Sequence, residues 1–280
     1  MLIVKSLEEL RETVTSWKRD GLSVGFVPTM GALHNGHISL VEMSVQRCDR
    51  TVTSIYVNPT QFAAHEDLDS YPRQEDEDQS KLKAAGCDLV FCPTTEVMYP
   101  EGEETRVDVP SLGAKLEGQF RPHFFGGVAT VVCKLFNQVQ PDTAFFGEKD
   151  FQQVQVIRRM VTDLAMPVEI VAGSTFRADD GLALSSRNAY LTDEERAIAP
   201  ALAAALHRAA IRIRAGAAHA HALAEAVETL KINGFQKVDY IEAIDPSTLD
   251  PISTPVPEYP LRLVAAAWLG KTRLIDNIPL

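Results

Sequence analysis

The run Ser23-Val24-Gly25-Phe26-Val27 and the ten residues after it, Pro28-Thr29-Met30-Gly31-Ala32-Leu33-His34-Asn35-Gly36-His37, decide the fold. The first five read as a buried strand. A glycine-bearing bend follows, and a helix is predicted over about 36–48. A strand that passes through such a bend into a helix opens a β-α-β unit. The same alternation continues outward. Strands are predicted over about 51–57, 88–92, 143–146 and 168–171, and helices over about 73–85, 127–138 and 151–164. Residues 58–72 read as a loop rich in Asn, Pro and Asp.

This pattern requires crossover connections and predicts an α/β fold: a Rossmann-like, doubly wound parallel sheet with helices on both faces. The composition shifts after about residue 176. Thr192 and Glu195 form a capping-box signature. An Ala-rich helix is expected to run on to about 214, a second helix spans about 220–232, and Asn233-Gly234 stops it. Strand-like runs follow over about 238–241 and 262–267. The expected organisation is a Rossmann-like domain over 1–176 and a smaller α+β C-terminal domain over 177–280.

Composition narrows the function. The 280 residues are 45% hydrophobic and 23% charged, an ordinary globular balance. A net charge of -11 argues against a general nucleic-acid binder, which needs a basic face. It leaves room for a small anionic ligand held by a few local cations. The longest apolar run, over 263–270, is far shorter than the roughly 20 residues of a membrane helix. Met1-Leu2-Ile3-Val4-Lys5 lacks the apolar stretch of a signal peptide, so a cytoplasmic protein is expected. Cys48, Cys87, Cys92 and Cys133 form no C-x-x-C pair and read as reduced thiols.

Three segments carry chemistry. In the first, the 28–37 bend, a helix N-terminus offers N–H groups and partial positive charge to phosphate. Gly31 and Gly36 permit close backbone approach. His34 and His37 are three apart, so both face one ligand across the helix start. An anion beside them favours their cationic forms. A pair of histidines that only caps the helix is the plain alternative. The second segment is Phe145-Phe146-Gly147-Glu148-Lys149-Asp150-Phe151-Gln152-Gln153. Here Lys149 places a compact positive charge beside phosphates. Asp150 is either a helix N-cap or a nucleotide contact, and Gln153 either points into the same crevice or sits on a solvated helix face. The third is Leu184-Ser185-Ser186-Arg187-Asn188, two hydroxyls and a guanidinium suited to an anion. Its meaning comes from combination with the other two.

Seven segments in register extend this reading: PTMGALHNGH at 28–37, YVNPTQF at 56–62, LDSYPR at 68–73, LEG at 116–118 with RPHFFGGVATVV at 121–132, FFGEKDFQQ at 145–153, DGLALSSRN at 180–188 and TRLIDN at 272–277. Through them the chain resembles the pantothenate synthetase (pantoate–β-alanine ligase) family, within the H-x-G-H nucleotidyltransferase superfamily. The resemblance implies a reaction in two steps. ATP activates the carboxylate of (R)-pantoate, releasing pyrophosphate. β-Alanine then attacks the pantoyl adenylate, giving pantothenate and AMP. The 1–176 domain would bind nucleotide and pantoate, and the 177–280 domain would carry the Ser-Ser-Arg loop. The resemblance also implies a requirement for Mg2+ and a homodimer, with no nucleic-acid or membrane partner.

The site residues implied by the resemblance follow its motifs. Met30, Gly31, Ala32, Leu33, His34, Asn35, Gly36 and His37 lie along ATP, with His37 in the position of the catalytic proton donor. Gly147, Glu148, Lys149 and Asp150 meet ribose and phosphate. Leu184, Ser185, Ser186 and Arg187 belong to a loop that closes on the phosphates, and Phe176 offers a backbone contact to adenine. His34, His37, Lys149, Ser186 and Arg187 are the implied catalytic set. Gln61 and Gln153 hold pantoate, and Gln61 also lies near β-alanine. Glu77 and Asp78 are candidate magnesium ligands, with a solvated helix face as the alternative. Val128, Val131 and Val132 pack on pantoate's methyl groups, in the core, or both. The 58–72 and Ser-Ser-Arg loops are candidate lids that keep water from the adenylate.

A pantoate carboxylate is ionised at neutral pH, so the first step needs placement and charge neutralisation rather than a general base. The pattern assigns no residue to take the proton of the β-alanine amine. Two other readings stand beside this one: another H-x-G-H nucleotidyltransferase that releases pyrophosphate without consuming β-alanine, and a silent binding protein using the same cleft. Every motif is intact, which argues against the silent protein.

Overall fold

The computed structural model describes residues 1–62, 68, 71–254 and 260–280. Contacts divide the chain into two units, Met1–Glu148 with Gln152–Ser174, and Lys149–Phe151 with Thr175–Leu280. In chain order the first holds β1 (Leu2–Val4), α1 (Leu7–Arg19), β2 (Val24–Thr29), α2 (Asn35–Arg47), β3 (Arg50–Ile55), α3 (Glu75–Ala84) and β4 (Leu89–Phe91). Then come the short helices α4 (Thr95–Met98), α5 (Pro110–Gly113) and α6 (Glu117–Phe120), followed by α7 (Phe124–Val139), β5 (Thr143–Gly147), α8 (Phe151–Asp163) and β6 (Glu169–Gly173).

The six strands form one parallel sheet in the order β1-β4-β3-β2-β5-β6. This is the expected α/β architecture, a parallel sheet flanked by helices. From β2 the chain winds outward through β3 and β4 on one side and through β5 and β6 on the other. The winding therefore reverses between β2 and β5, whose neighbouring C-terminal ends mark the topological switch point. α2 crosses this region closely: a Cβ added at Gly25 of β2 would lie 2.2 Å from Ser44 Oγ on α2. The Ser44 hydroxyl is itself buried and paired with Thr51 at 2.8 Å. The core under α2 joins Val27, Leu33, Leu40, Val41, Leu82, Val90 and Phe145.

The short edge strand β1 was not anticipated from its sequence. It is three residues long and exists through pairing with β4, from Leu2–Leu89 to Val4–Phe91. Val128, Val131 and Val132 are buried in α7 at 1–5% exposure, which places them in the core. The expected 58–72 lid begins with a 3-10 turn at Pro59–Gln61, and its residues 63–67, 69 and 70 lie outside the described residues.

The second unit adds α9 (Asp193–Ile198), α10 (Ala201–Arg214), α11 (His219–Ile232) and an antiparallel sheet of β7 (Lys237–Ile244), β8 (Arg262–Leu269) and β9 (Thr272–Pro279) in that order. Thr192 caps α9 in a capping box with Glu195. The single Ala-rich helix expected here is two. Pro200 has no N–H to continue the ladder and its ring crowds the preceding turn, so α9 stops at Ile198 and α10 starts at Ala201. The small side chains of α10 and α11 let the two helices pack on each other, α10 on β8 and β9 and α11 on β7, around Leu206, Ala209, Leu230, Leu263, Ala265 and Leu274. Among the described residues no helix is long and apolar enough to cross a membrane.

The closeness of α2 to β2 has a measurable consequence. Gly25→Ala should lower stability by about 1–3 kcal/mol by forcing the Ser44 hydroxyl out of its buried pair. Urea unfolding with an unchanged midpoint would count against this packing.

Candidate active site

The bend between β2 and α2 starts at the switch point. Thr29 closes β2 with its hydroxyl on the Ser54 carbonyl at 2.8 Å, and that hydroxyl receives the Gly31 N–H at 3.2 Å. Gly31 then takes φ +82°, and an added Cβ would meet Asp78 Oδ2 at 3.2 Å and Ile55 Cγ2 at 3.3 Å. Glycine is favoured there by its conformation, and a side chain would also press on both neighbours. Ala32 follows at φ +52°, a left-handed position that costs a side-chain-bearing residue about 1 kcal/mol or more. Leu33 turns into the core.

Helix α3 holds this bend. Asp78 is 1% exposed, and its two carboxylate oxygens accept the N–H groups of Ala32 at 2.8 Å and Leu33 at 2.7 Å. Lys81, one turn later, donates to the Leu33 carbonyl at 2.7 Å and pairs with Glu77 at 2.7 Å. Both polarities of the buried backbone are thus answered from one helix face. Burial pushes the Asp78 carboxyl above the ordinary aspartate range, and the two N–H groups oppose that push without reversing it. This rules out, for Asp78, the solvated helix face that stood as the alternative to a magnesium ligand. It also answers whether Glu77 and Asp78 suit a resident magnesium ion. Each Asp78 oxygen already accepts a backbone N–H, Glu77 is paired with Lys81, and the described residues contain no group of three or more His, Cys, Asp or Glu that could hold a metal. A sequence signal for Asp78 existed. Leu82 is the only large apolar residue of α3, so it marks the inward face, and Asp78 lies one turn before it on that face.

The two histidines are fixed by the backbone that carries them. His34 is the N-cap of α2, and its Nδ1 accepts the Gly36 N–H at 3.1 Å. The Nδ1 of His37 accepts the His34 N–H at 3.3 Å. The rings lie 4.1 Å apart, tilted by 34°. A ring nitrogen that accepts carries no hydrogen, so in each neutral imidazole the hydrogen sits on Nε2. A cationic ring would have to give up its backbone bond. Met30, Gly36 and both histidines are half-buried, and Asn35 is exposed.

Other expected residues of this unit have different surroundings. Gln61 is buried at 8% exposure, and its carbonyl accepts from Arg121 at 2.9 Å. Its turn is set by Asn58, an unanticipated 1% exposed residue. The Asn58 side-chain oxygen accepts from Thr60 and, at 3.0 Å, from the Tyr99 hydroxyl, and its amide reaches the Gly127 carbonyl at 3.3 Å. Burial pushes the Tyr99 hydroxyl up and that of Tyr56 up to about 12, so both stay protonated hydrogen-bonding groups. On α8, Gln153 is half-buried. Its neighbour Gln152 is structural: it donates to the Leu112 and Lys115 carbonyls at 2.8 and 2.7 Å and accepts the Glu117 N–H at 3.1 Å.

β5 ends at Gly147, and Glu148–Asp150 form a 3-10 turn in which the chain leaves the first unit. Lys149, Asp150, Phe176 and the Ser-Ser-Arg segment belong to the second unit. The Lys149 ammonium lies 3.8 Å from Asp150, and its carbonyl accepts from Asn277 at 2.8 Å. Phe176 is exposed, and its carbonyl takes the Leu184 N–H at 2.9 Å. Arg177 forks onto Asp276 at 2.7 and 2.8 Å and reaches the Gly181 carbonyl at 3.0 Å, which holds the hairpin leading to Leu184. Ser185 caps the 3-10 turn Ser186–Tyr190: its hydroxyl accepts the Arg187 N–H at 3.3 Å, and the Asn188 side-chain oxygen accepts the Ser185 N–H at 2.7 Å. Leu184, Ser186 and Arg187 are half-buried. Asp276 and Asn277 stand in the TRLIDN segment, whose part in supporting this unit's loops the sequence left unstated.

Comparison with known proteins bears on this arrangement. A family model described as pantoate-beta-alanine ligase matches residues 2–279. A pantothenate synthetase of Hyphomonas neptunium is 55% identical over 279 residues, covering 99% of this chain and 95% of that protein. One of Caulobacter vibrioides is 52% identical over 278 residues, covering 99% and 98%. Among solved structures, a pantothenate synthetase of Thermus thermophilus superposes with a TM-score of 0.93 at 46% identity, covering 99% of each chain. A Francisella tularensis pantoate-beta-alanine ligase, complexed with beta-gamma ATP and beta-alanine, has a TM-score of 0.83 at 34% identity, covering 99% of this chain and 97% of its own.

The clamp from α3 is open to test. Asp78→Asn leaves one acceptor for two N–H groups and sets an amide N–H against the other. Stability should fall by about 1–3 kcal/mol. An unchanged free energy of unfolding in urea would show that the bend holds itself.

Proposed function

The chain belongs to the pantoate–β-alanine ligase family and is a ligase that forms pantothenate from pantoate and β-alanine, and from that premise we propose that it works through a pantoyl adenylate made at the expense of ATP. In the first step a pantoate carboxylate oxygen bonds to the α-phosphorus of ATP, and the bond from that phosphorus to the bridging oxygen breaks. Pyrophosphate leaves. In the second step the β-alanine amine displaces AMP from the acyl carbon.

The observation that carries this reading is the state of His34 and His37. Both Nδ1 atoms are engaged by backbone N–H groups. Both Nε2–H groups therefore act as donors at the start of α2, the end of a helix that favours anions. Donors aimed before the reaction starts stabilise charge that grows on the phosphate oxygens without reorganising. His37 thus serves as hydrogen donor to the phosphate rather than as a base, which the ionised carboxylate does not need. Met30, Gly31, Ala32, Leu33, Asn35 and Gly36 line the nucleotide. Lys149, Ser186 and Arg187 offset phosphate charge, Gly147, Glu148 and Asp150 meet ribose and phosphate, and Phe176, Leu184 and Ser185 complete the nucleotide contacts. Gln61 and Gln153 hold pantoate, with Gln61 also near β-alanine. Neutral amides bind its oxygens without pairing off the charge of the nucleophile. The Francisella ligase complexed with beta-gamma ATP and beta-alanine supports ATP and β-alanine as substrates.

Magnesium belongs to the substrate in this reading. Mg2+ keeps most of its shell of water and phosphate oxygens and needs few protein ligands. It arrives as the counter-ion of ATP, and Glu77 and Asp78 are left to the bend. The same reading makes the enzyme a cytoplasmic homodimer.

Product analysis tests the mechanism. ATP, pantoate and β-alanine should yield AMP and pyrophosphate in equal amounts, and His37→Ala should slow pyrophosphate release by more than about 100-fold with the fold intact. Formation of ADP would point instead to an acyl phosphate and overturn the adenylate. For the pantoate assignment, Gln61→Ala should mainly raise the pantoate KM, about 10-fold or more. Unchanged pantoate dependence would remove Gln61 from that role.

A further inference from the structure

We propose that Asn277 is a positioning residue for adenylate formation, acting through the peptide that carries Lys149. The inference rests on the phosphate role assigned to Lys149 above. Lys149 sits in a 3-10 turn just beyond β5, and the second unit supplies its anchor. The Asn277 side-chain amide donates to the Lys149 carbonyl at 2.8 Å. Its oxygen accepts from the Arg262 guanidinium. A carbonyl only accepts and a guanidinium only donates, so the two neighbours leave the amide a single orientation. Asn277 is 5% exposed and Arg262 8%, which puts this relay out of water.

The anchor has a second point and a rigid base. The Arg262 guanidinium lies over the Phe151 ring, 4.1 Å from its centre, so both ends of the Lys149–Phe151 segment are gripped from the sheet of β8 and β9. Asn277 is held in turn through its own N–H, which donates to Asp276 Oδ1 at 2.7 Å. That carboxylate also takes the Arg177 fork. A lysine ammonium is a point charge on a flexible stem, and its worth at a phosphate depends on where its backbone stands. A displacement of about 1 Å costs on the order of 100-fold in rate.

A double-mutant cycle on the full-length protein separates positioning from mere support. Asn277→Asp keeps an acceptor for Arg262 and sets an oxygen against the Lys149 carbonyl. In single-turnover pyrophosphate release with ATP and pantoate, it should slow the step about 30-fold, with the KM for each substrate within about threefold. Lys149→Ala should slow it by more than about 100-fold. The double variant should be no slower than Lys149→Ala within about threefold, because Asn277 acts through Lys149. If thermal unfolding shows that Asn277→Asp does not fold, Asn277→Ser, too short for either partner, takes its place in the cycle. A near-normal rate for the Asn277 variant, or losses that multiply in the double variant, overturns the proposal. A near-normal rate for Lys149→Ala overturns instead the phosphate role on which it rests, and the two failures are read from different variants.

Discussion

A backbone bend buried under the start of a helix must have its N–H and C=O groups answered, or it does not persist. At the junction of β2 and α2 the answer comes from Asp78 and Lys81, three residues apart on α3. The carboxylate takes the N–H groups of Ala32 and Leu33, and the ammonium gives to the carbonyl of Leu33. Hydrogen bonds to a charged partner are the stronger class, roughly 1.5–3 kcal/mol each. Together they outweigh the left-handed strain at Ala32. The clamp thus fixes the backbone of Ala32 and Leu33 immediately before α2 begins.

The histidines inherit their orientation from the same backbone. Once the Gly36 and His34 N–H groups occupy the two Nδ1 atoms, the hydrogen of each ring has one place to go. As neutral donors they would suit the proposed step, which builds charge on phosphate and takes no proton from its nucleophile. An acidic protein with a net charge of -11 is compatible with an anionic substrate for this reason. Aimed N–H groups, a helix start and a few cations act locally, where the field is set by what lies nearest.

The second unit uses a comparable device with different chemistry. Buried Asp276 and Asn277, adjacent on β9, divide the work: the carboxylate fixes Arg177 at the base of the Phe176–Leu184 hairpin, and the amide fixes the Lys149 peptide. Loops that carry charged groups are thereby tied to a regular sheet. In both units a buried carboxylate or amide (Asp78, Asp276 or Asn277) holds backbone that carries more exposed groups. A positioning bond in a dry place is stronger than the same bond in water.

Much of this was legible in the residues themselves. The alternation of apolar strands with helical segments determined the parallel α/β sheet, because period and turn chemistry are local properties of the chain. The glycine at 31, the paired histidines and the Thr192 capping box were readable for the same reason. Tertiary structure decided what depends on partners distant in sequence. β1 is a strand only because β4 lies beside it. Leu82 marks the inward face that Asp78 shares, but only packing showed that this face meets a bend more than forty residues earlier. Asn277 could not be connected with Lys149 across a separation of 128 residues. Nor could sequence choose the histidine tautomers, since a ring hydrogen is placed by the donors that surround it, and those exist only once the backbone has folded.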